Sequence, residues 1–129
     1  MAVKPGELVV KCIGANLTRD TEWMGKMSPF LVIEVGPTRR QTGTHHRGGK
    51  TPVWGGEILK FQITNDPEMK LAVWDEEKNK KHDLVGDTIF FLNRITNDNI
   101  KKEEIEITYK GKSSGKIMLE FEFVPNTVT

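Results

Sequence analysis

The 129-residue chain is the size of one domain, long enough for one sizeable core and too short for two. With 36% hydrophobic and 29% charged residues it is not a disordered chain, and a formal net charge of +1 excludes a globally basic protein, so attraction to nucleic acid or membrane must come from local patches. No run reaches the length of a transmembrane helix, MAVKPGELVV lacks the regions of a signal peptide, and the lone Cys12 has no partner for an internal disulfide; the expectation is a cytoplasmic protein.

Short alternating or apolar runs, separated by Gly, Pro, Asn or Asp, carry the main signal. GELVVKCIG (6–14) predicts the first strand, and the loop LTRDTEWMGKMS (17–28) follows it. PFLVIEVG (29–36) predicts the second strand, its leading proline suited to an extended start. The polar run TRRQTGTHH (38–46) predicts an edge strand, and GGKTPV (48–53) a loop. EILKFQI (57–63) alternates, with Leu59, Phe61 and Ile63 opposed to Ile58 and Lys60. KLAVWD (70–75), DTIFFL (87–92), EEIEITY (103–109) and GKIMLEFEF (115–123) predict the remaining strands, the last sharing Ile117, Leu119, Phe121 and Phe123 on one face. Helical periodicity is confined to NRITNDNIKKEE, enough for a turn or two. The pattern predicts an all-β fold, an eight-stranded antiparallel β-sandwich forming a single domain over 1–129 with its core at about 6–124. Trp54 and Trp74 are assigned to that core, since neither sits in a basic aromatic array of the kind that stacks nucleic acid bases.

In a sandwich the loops gather at two ends, so function is sought there. Asp75, Glu77 and Asp83 form D-x-E-x5-D between two predicted strands. Residues 75 and 77 project to one side and Asp83 returns across the loop, so the three carboxylates converge. Such acids repel one another unless a proton or a hard cation intervenes, and Ca²⁺ takes six to eight oxygens in flexible loop geometry. The competing reading is a solvated loop tip, with Lys78, Lys80 and Lys81 balancing the acids. The loop at 17–28 adds Asp20, Glu22 and the Ser28 hydroxyl from another part of the chain.

Taken in order, GELVVKCIGANL, GKMSPFLVIEV, TPVW, VWDEEKNKKHDLVG and GKIMLEFEF resemble a C2 domain over nearly the whole chain. In that family the first loop ends in Ser-Asp-Pro-Tyr, with an acid six residues before the aspartate. Here the matching run is Met27, Ser28, Pro29 and Phe30, and the acid six residues before Ser28 is Glu22. The family's D-x-D-x5-D falls on Asp75, Glu77 and Asp83, and His82 to Gly86 match the residues that close its third loop. The resemblance therefore implies metal ligands at Glu22, Ser28, Asp75, Glu77 and Asp83. Two are glutamate and one is a neutral serine, so it implies fewer ions and weaker Ca²⁺ binding than a full site, with Asp20 or Glu76 as compensating acids. Chain order resembles the type II circular permutant, as in small plant single-C2 proteins.

Trp23 and Met24 lie in the first loop, where they form an apolar membrane-facing tip or fold back as a cap. Lys50, Lys78, Lys80 and Lys81 approach the same rim and suit an anionic leaflet. Arg39, Arg40, His45, His46 and Arg47 form a second basic segment, read as a headgroup or partner patch or as a polar edge guarded by charge. No nucleophile with a paired base and no glycine-rich phosphate loop is present, so no enzyme is expected. Two functions remain. One is a stand-alone, calcium-responsive module peripheral to anionic phospholipid membranes. The other is a calcium-independent protein-interaction or scaffold module, such as a cytoskeletal assembly component. No nucleic acid partner is expected under either.

Overall fold

A computed structural model describes residues 3–126; positions 1–2 and 127–129, the outer ends of the expected domain, lie outside the described residues. Eight antiparallel strands and one helical turn follow in order. They are β1 (Gly6–Leu17), β2 (Pro29–Val35), β3 (Thr38–Gln41), β4 (Val53–Ile63), β5 (Glu68–Asp75), β6 (Asp83–Phe91), α1 (Asn93–Thr96), β7 (Lys102–Tyr109) and β8 (Lys112–Pro125).

The strands lie in the order β3-β2-β5-β6-β7-β8-β1-β4. The β6–β7 ladder is a single pair, Asp87↔Thr108, and there the sheet divides into two four-stranded layers. Their inner faces share one core: Leu31, Ile33, Leu71 and Val73 from one layer meet Leu8, Val10, Phe61, Ile117 and Leu119 from the other. The layers also touch at their free edges. Arg40 Nε donates to the Lys60 carbonyl (2.9 Å) and the Gly43 amide to Glu57 Oε1 (2.9 Å).

Strand ends differ from the sequence expectation where period-two alternation breaks. In β1 the buried residues Leu8, Val10 and Cys12 give way to Ala15 and Leu17. The ladders to both neighbours shift between Cys12 and Gly14, so a bulge swaps the inward parity and the strand runs on to Leu17. In β4 the residues before Glu57 are interrupted by Gly55 (φ 66) and Gly56 (φ 77), whose left-handed backbone hides a strand that already starts at Val53. The expected edge strand 38–46 is regular only to Gln41; beyond it Thr42 stays tied to β2, its hydroxyl accepting from the Leu31 amide (3.0 Å). Trp54 is buried and donates Nε1–H to the Pro29 carbonyl (3.2 Å). Trp74 is not in the core. With Met69, Leu71 and Val73 pointing inward, parity turns it outward, where it lines a groove of about 590 Å³ with Arg39, Lys70 and Ile89.

This topology collects four connections at one end. The loop 18–28 leaves β1 and the loop 76–82 leaves β5. The loop 42–52 is drawn alongside by hydrogen bonds from the Leu17 amide to the Lys50 carbonyl (2.7 Å) and from Gly49 to Met27 (3.0 Å). The tight turn between β7 and β8 joins them, because the Thr18 amide donates to the Ser114 carbonyl (2.9 Å).

Gly86 fixes how β6 passes over β8. A Cβ there would collide with the Ser114 hydroxyl and lie 3.2 Å from Ile107 Cδ1. The Ser114 Oγ is itself buried, with no hydrogen-bond partner among the described residues. Gly86→Ala is therefore expected to cost about 1–3 kcal/mol by overpacking. Ser114→Ala is expected to be neutral or stabilising, because it removes an unpaired hydroxyl. Denaturant unfolding of both single variants and the double variant checks this, with the double variant recovering part of the loss.

Candidate metal centre

The register of three strands sets the centre of the rim. Asp75 ends β5 and pairs in the ladders with Pro29 at the start of β2 and Asp83 at the start of β6. Two carboxylates are thereby placed side by side by main-chain pairing alone. Glu77 lies two residues beyond Asp75, and its amide donates to His82 Nδ1 (2.9 Å), closing the loop 76–82. Glu22 comes from the loop 18–28, which is shaped by the Asp20 carboxylate accepting the Glu22 amide (3.0 Å). Carboxylate oxygens of Glu22, Asp75, Glu77 and Asp83 all lie within 4.8 Å of one another.

Asp75 is the buried member, 1% exposed. Its Oδ1 accepts the Ser28 amide (2.7 Å) and its Oδ2 accepts the Thr21 hydroxyl (2.8 Å). Two donors to a charged acceptor are what such a group requires away from water. Glu77 is answered less well. Its Oε1 is buried and, among the described residues, receives no hydrogen bond. Glu22 is held close enough to share a proton. Hydrogen bonds to Asp75 first and Glu77 second, then burial, then the like charges of the same two groups, push its carboxyl up to about 8.

Four convergent carboxylates, one of which keeps a buried oxygen with no partner among the described residues, fit a divalent cation of the Ca²⁺ type. Among the described residues the exposed Lys78, Lys80 and Lys81 form no ion pair with the cluster. The expected compensating acids, Asp20 and Glu76, do not join the cluster. Asp20 is spent on the Glu22 amide, and Glu76 turns toward the neighbouring loop, accepting from the Thr44 hydroxyl (3.0 Å) and lying 3.7 Å from His46 Nδ1.

Ser28 is used as a joint. Its amide donates to Asp75, its carbonyl accepts from the Glu76 amide (2.9 Å), and its hydroxyl accepts from the Arg47 amide (3.0 Å). One residue thus ties three loops together. Thr21, which no sequence pattern singled out, completes the surroundings of Asp75.

Of the expected apolar tip, Trp23 stands 92% and Met24 70% exposed, so neither folds back as a cap. Lys50 is also exposed on its loop. The second basic segment does not share one environment. Arg39 faces the groove and pairs with Glu34 (3.5 Å), while Arg40 turns the other way to Lys60. His45 is structural, its Nδ1 accepting the Val53 amide (3.0 Å), and Arg47 sits in a left-handed bend (φ 58) with its side chain exposed.

A family profile described as C2 domain matches residues 6–107. Ingression protein fic1 of Schizosaccharomyces pombe is 30% identical over 122 residues, covering 93% of this chain and 44% of that protein. The Multiple C2 and transmembrane domain-containing protein of Drosophila melanogaster is 30% identical over 125 residues, covering 92% of this chain and 13% of that protein. The chain thus spans less than half the length of either relative. Among solved structures, the C2A domain of plant Extended Synaptotagmin 1 superposes with a TM-score of 0.83 at 25% identity, covering 95% of this chain and 97% of that one.

The Glu22 shift gives a pH dependence of definite sign. Between its ordinary 4.5 and about 8 the folded protein holds a proton that the unfolded chain releases. Stability without divalent cation therefore falls as pH rises through that window. Thermal unfolding in chelator is expected to show this fall, and Glu22→Gln to flatten it.

Proposed function

The chain belongs to the C2 domain family, and from that premise we propose that it is a calcium-responsive module that docks peripherally on anionic phospholipid membranes at the cytoplasmic side. The observation that carries this reading is the convergence of Glu22, Asp75, Glu77 and Asp83 around an orphaned buried oxygen, beside an exposed Trp23 and Met24. Those four carboxylates would hold the cation, and Ser28 fixes the loops that carry them. A bound Ca²⁺ would supply the positive charge that an acidic rim lacks. Trp23 and Met24 then offer the apolar surface that enters the headgroup region, and Lys50, Lys78, Lys80 and Lys81 face lipid phosphates from its flanks. Ser28 contributes no charge, so affinity for the ion is reduced relative to an all-acidic site. Because the family and its structural relatives are mostly binding modules, the proposal includes no catalytic role.

A second reading has a specific observation in its favour. Asp75 already has two donors, the Thr21 hydroxyl and the Ser28 amide, and these hold the loop 18–28 against the end of β5. A calcium-independent docking module for a protein partner, or a scaffold element in a cytoskeletal assembly, uses the same rigid rim. The relative named for ingression is consistent with such a role.

Cosedimentation with phosphatidylcholine vesicles containing phosphatidylserine separates the two. Wild type is expected to pellet more with Ca²⁺ than with chelator, and Asp75→Asn/Asp83→Asn is expected to lose the difference. Equal pelleting of wild type in both conditions overturns the calcium reading, and no pelleting at all favours the protein partner. Ser28→Asp tests the weakened site: calorimetric titration is expected to show roughly tenfold tighter Ca²⁺ binding, with a lower melting temperature in chelator from the added repulsion.

A further inference from the structure

The turn between β7 and β8 stands on the same rim, and nothing in the calcium reading uses it. Tyr109 pairs with Lys112 across the ladder, leaving Lys110 and Gly111 as a two-residue loop. Both have positive φ, 50 and 81, the geometry of a type I′ hairpin turn. Glycine, asparagine and aspartate suit the first of these positions; a lysine there is strained. An observed backbone strain of this kind is a reason to ask what the side chain does.

Its surroundings give an answer. The Arg19 guanidinium lies 3.7 Å from the centre of the Tyr109 ring, and the Lys110 ammonium lies 5.3 Å from the same centre. Lys112, directly opposite Tyr109 in the ladder, projects from the same face of the hairpin. The loop 18–28 is bound to this hairpin, since the Thr18 and Arg19 amides both donate to the Ser114 carbonyl (2.9 and 3.4 Å). Two cations therefore lie against one aromatic ring, and a third stands beside it across the ladder. Among the described residues none of them forms an ion pair. Arg19 makes one long hydrogen bond, from Nη2 to the Leu84 carbonyl (3.4 Å), and its Nε is buried without a partner. Stacking holds the guanidinium plane while leaving donors unspent, an arrangement suited to a tetrahedral oxyanion.

We propose that Arg19, Tyr109, Lys110 and Lys112 form a phosphate-binding corner of the rim that works without calcium. Two sources of phosphate fit, an anionic lipid headgroup or a soluble polyphosphate. The first rests on the membrane reading above, and the second does not.

The test is amide chemical-shift mapping in chelator with inositol hexakisphosphate, beside vesicle cosedimentation in the same buffer, on wild type and on Lys110→Asn/Lys112→Gln. Asparagine accepts the left-handed turn, so the variant is expected to melt no lower than wild type while losing the site. The expected result is that the polyphosphate shifts amides at 19 and 109–112, that the variant abolishes these shifts, and that its calcium-free vesicle binding drops on the order of tenfold. Loss of the shifts with unchanged vesicle binding keeps the corner but assigns it to soluble phosphate. Shifts that survive the variant, or none at these residues, overturn the proposal. Asp75→Asn/Asp83→Asn retains the corner, so failure of the calcium reading is scored separately.

Discussion

Everything at the functional end depends on one buried charge. The pairing of β2, β5 and β6 puts Asp75 at a position that is both inside the sandwich rim and next to Asp83. A carboxylate withdrawn from water must find donors or lose its charge. Asp75 finds two, from the Ser28 amide and the Thr21 hydroxyl, and both come from the loop that follows β1. Satisfying Asp75 therefore folds that loop over the end of β5. It also brings Glu22, on the same loop, against a charge it would otherwise avoid. The raised proton affinity of Glu22 and the orphaned oxygen of Glu77 are consequences of that single requirement.

Ser28 is best understood against the same constraint. An aspartate there would place a further negative charge where its amide already serves Asp75. Serine retains the three contacts that join the loops 18–28, 42–52 and 76–82, while lowering the repulsion that a metal would have to relieve. The neutral side chain thus serves the shape of the rim without adding charge to it.

The fold was legible because burial in a sandwich follows period two, and Leu59, Phe61 and Ile63 or Ile117, Leu119 and Phe121 obey it without interruption. Where a bulge changes parity, as after Cys12, the extent of the strand was not legible. Trp74, expected in the core, faces outward because it follows the inward-pointing Val73 in a period-two strand. In the site, Asp75, Glu77 and Asp83 were legible from spacing, and Glu22 from resemblance. Spacing does not state which way a side chain turns. Asp20 and Glu76 are as acidic and as near in sequence, yet each is committed to a local donor. Thr21 left no signal, because a hydroxyl in a polar loop is ordinary until the carboxylate it serves is in view.

The charges on the rim are sorted rather than mixed. The acids occupy the middle, held by strand register, while the lysines are exposed on the loop tips and on the β7–β8 turn. An approaching anionic surface meets both at once, over distances comparable to the Debye length of about 8 Å at physiological ionic strength. Attraction from the lysines and repulsion from the carboxylates then oppose each other across a small area. The net sign is sensitive to a change of one or two charges at the centre, whether by a proton on Glu22 or by a divalent ion. Under the proposed function, a response to a divalent ion would need no movement of the strands, since the change needed is in potential and the apolar tip is already exposed.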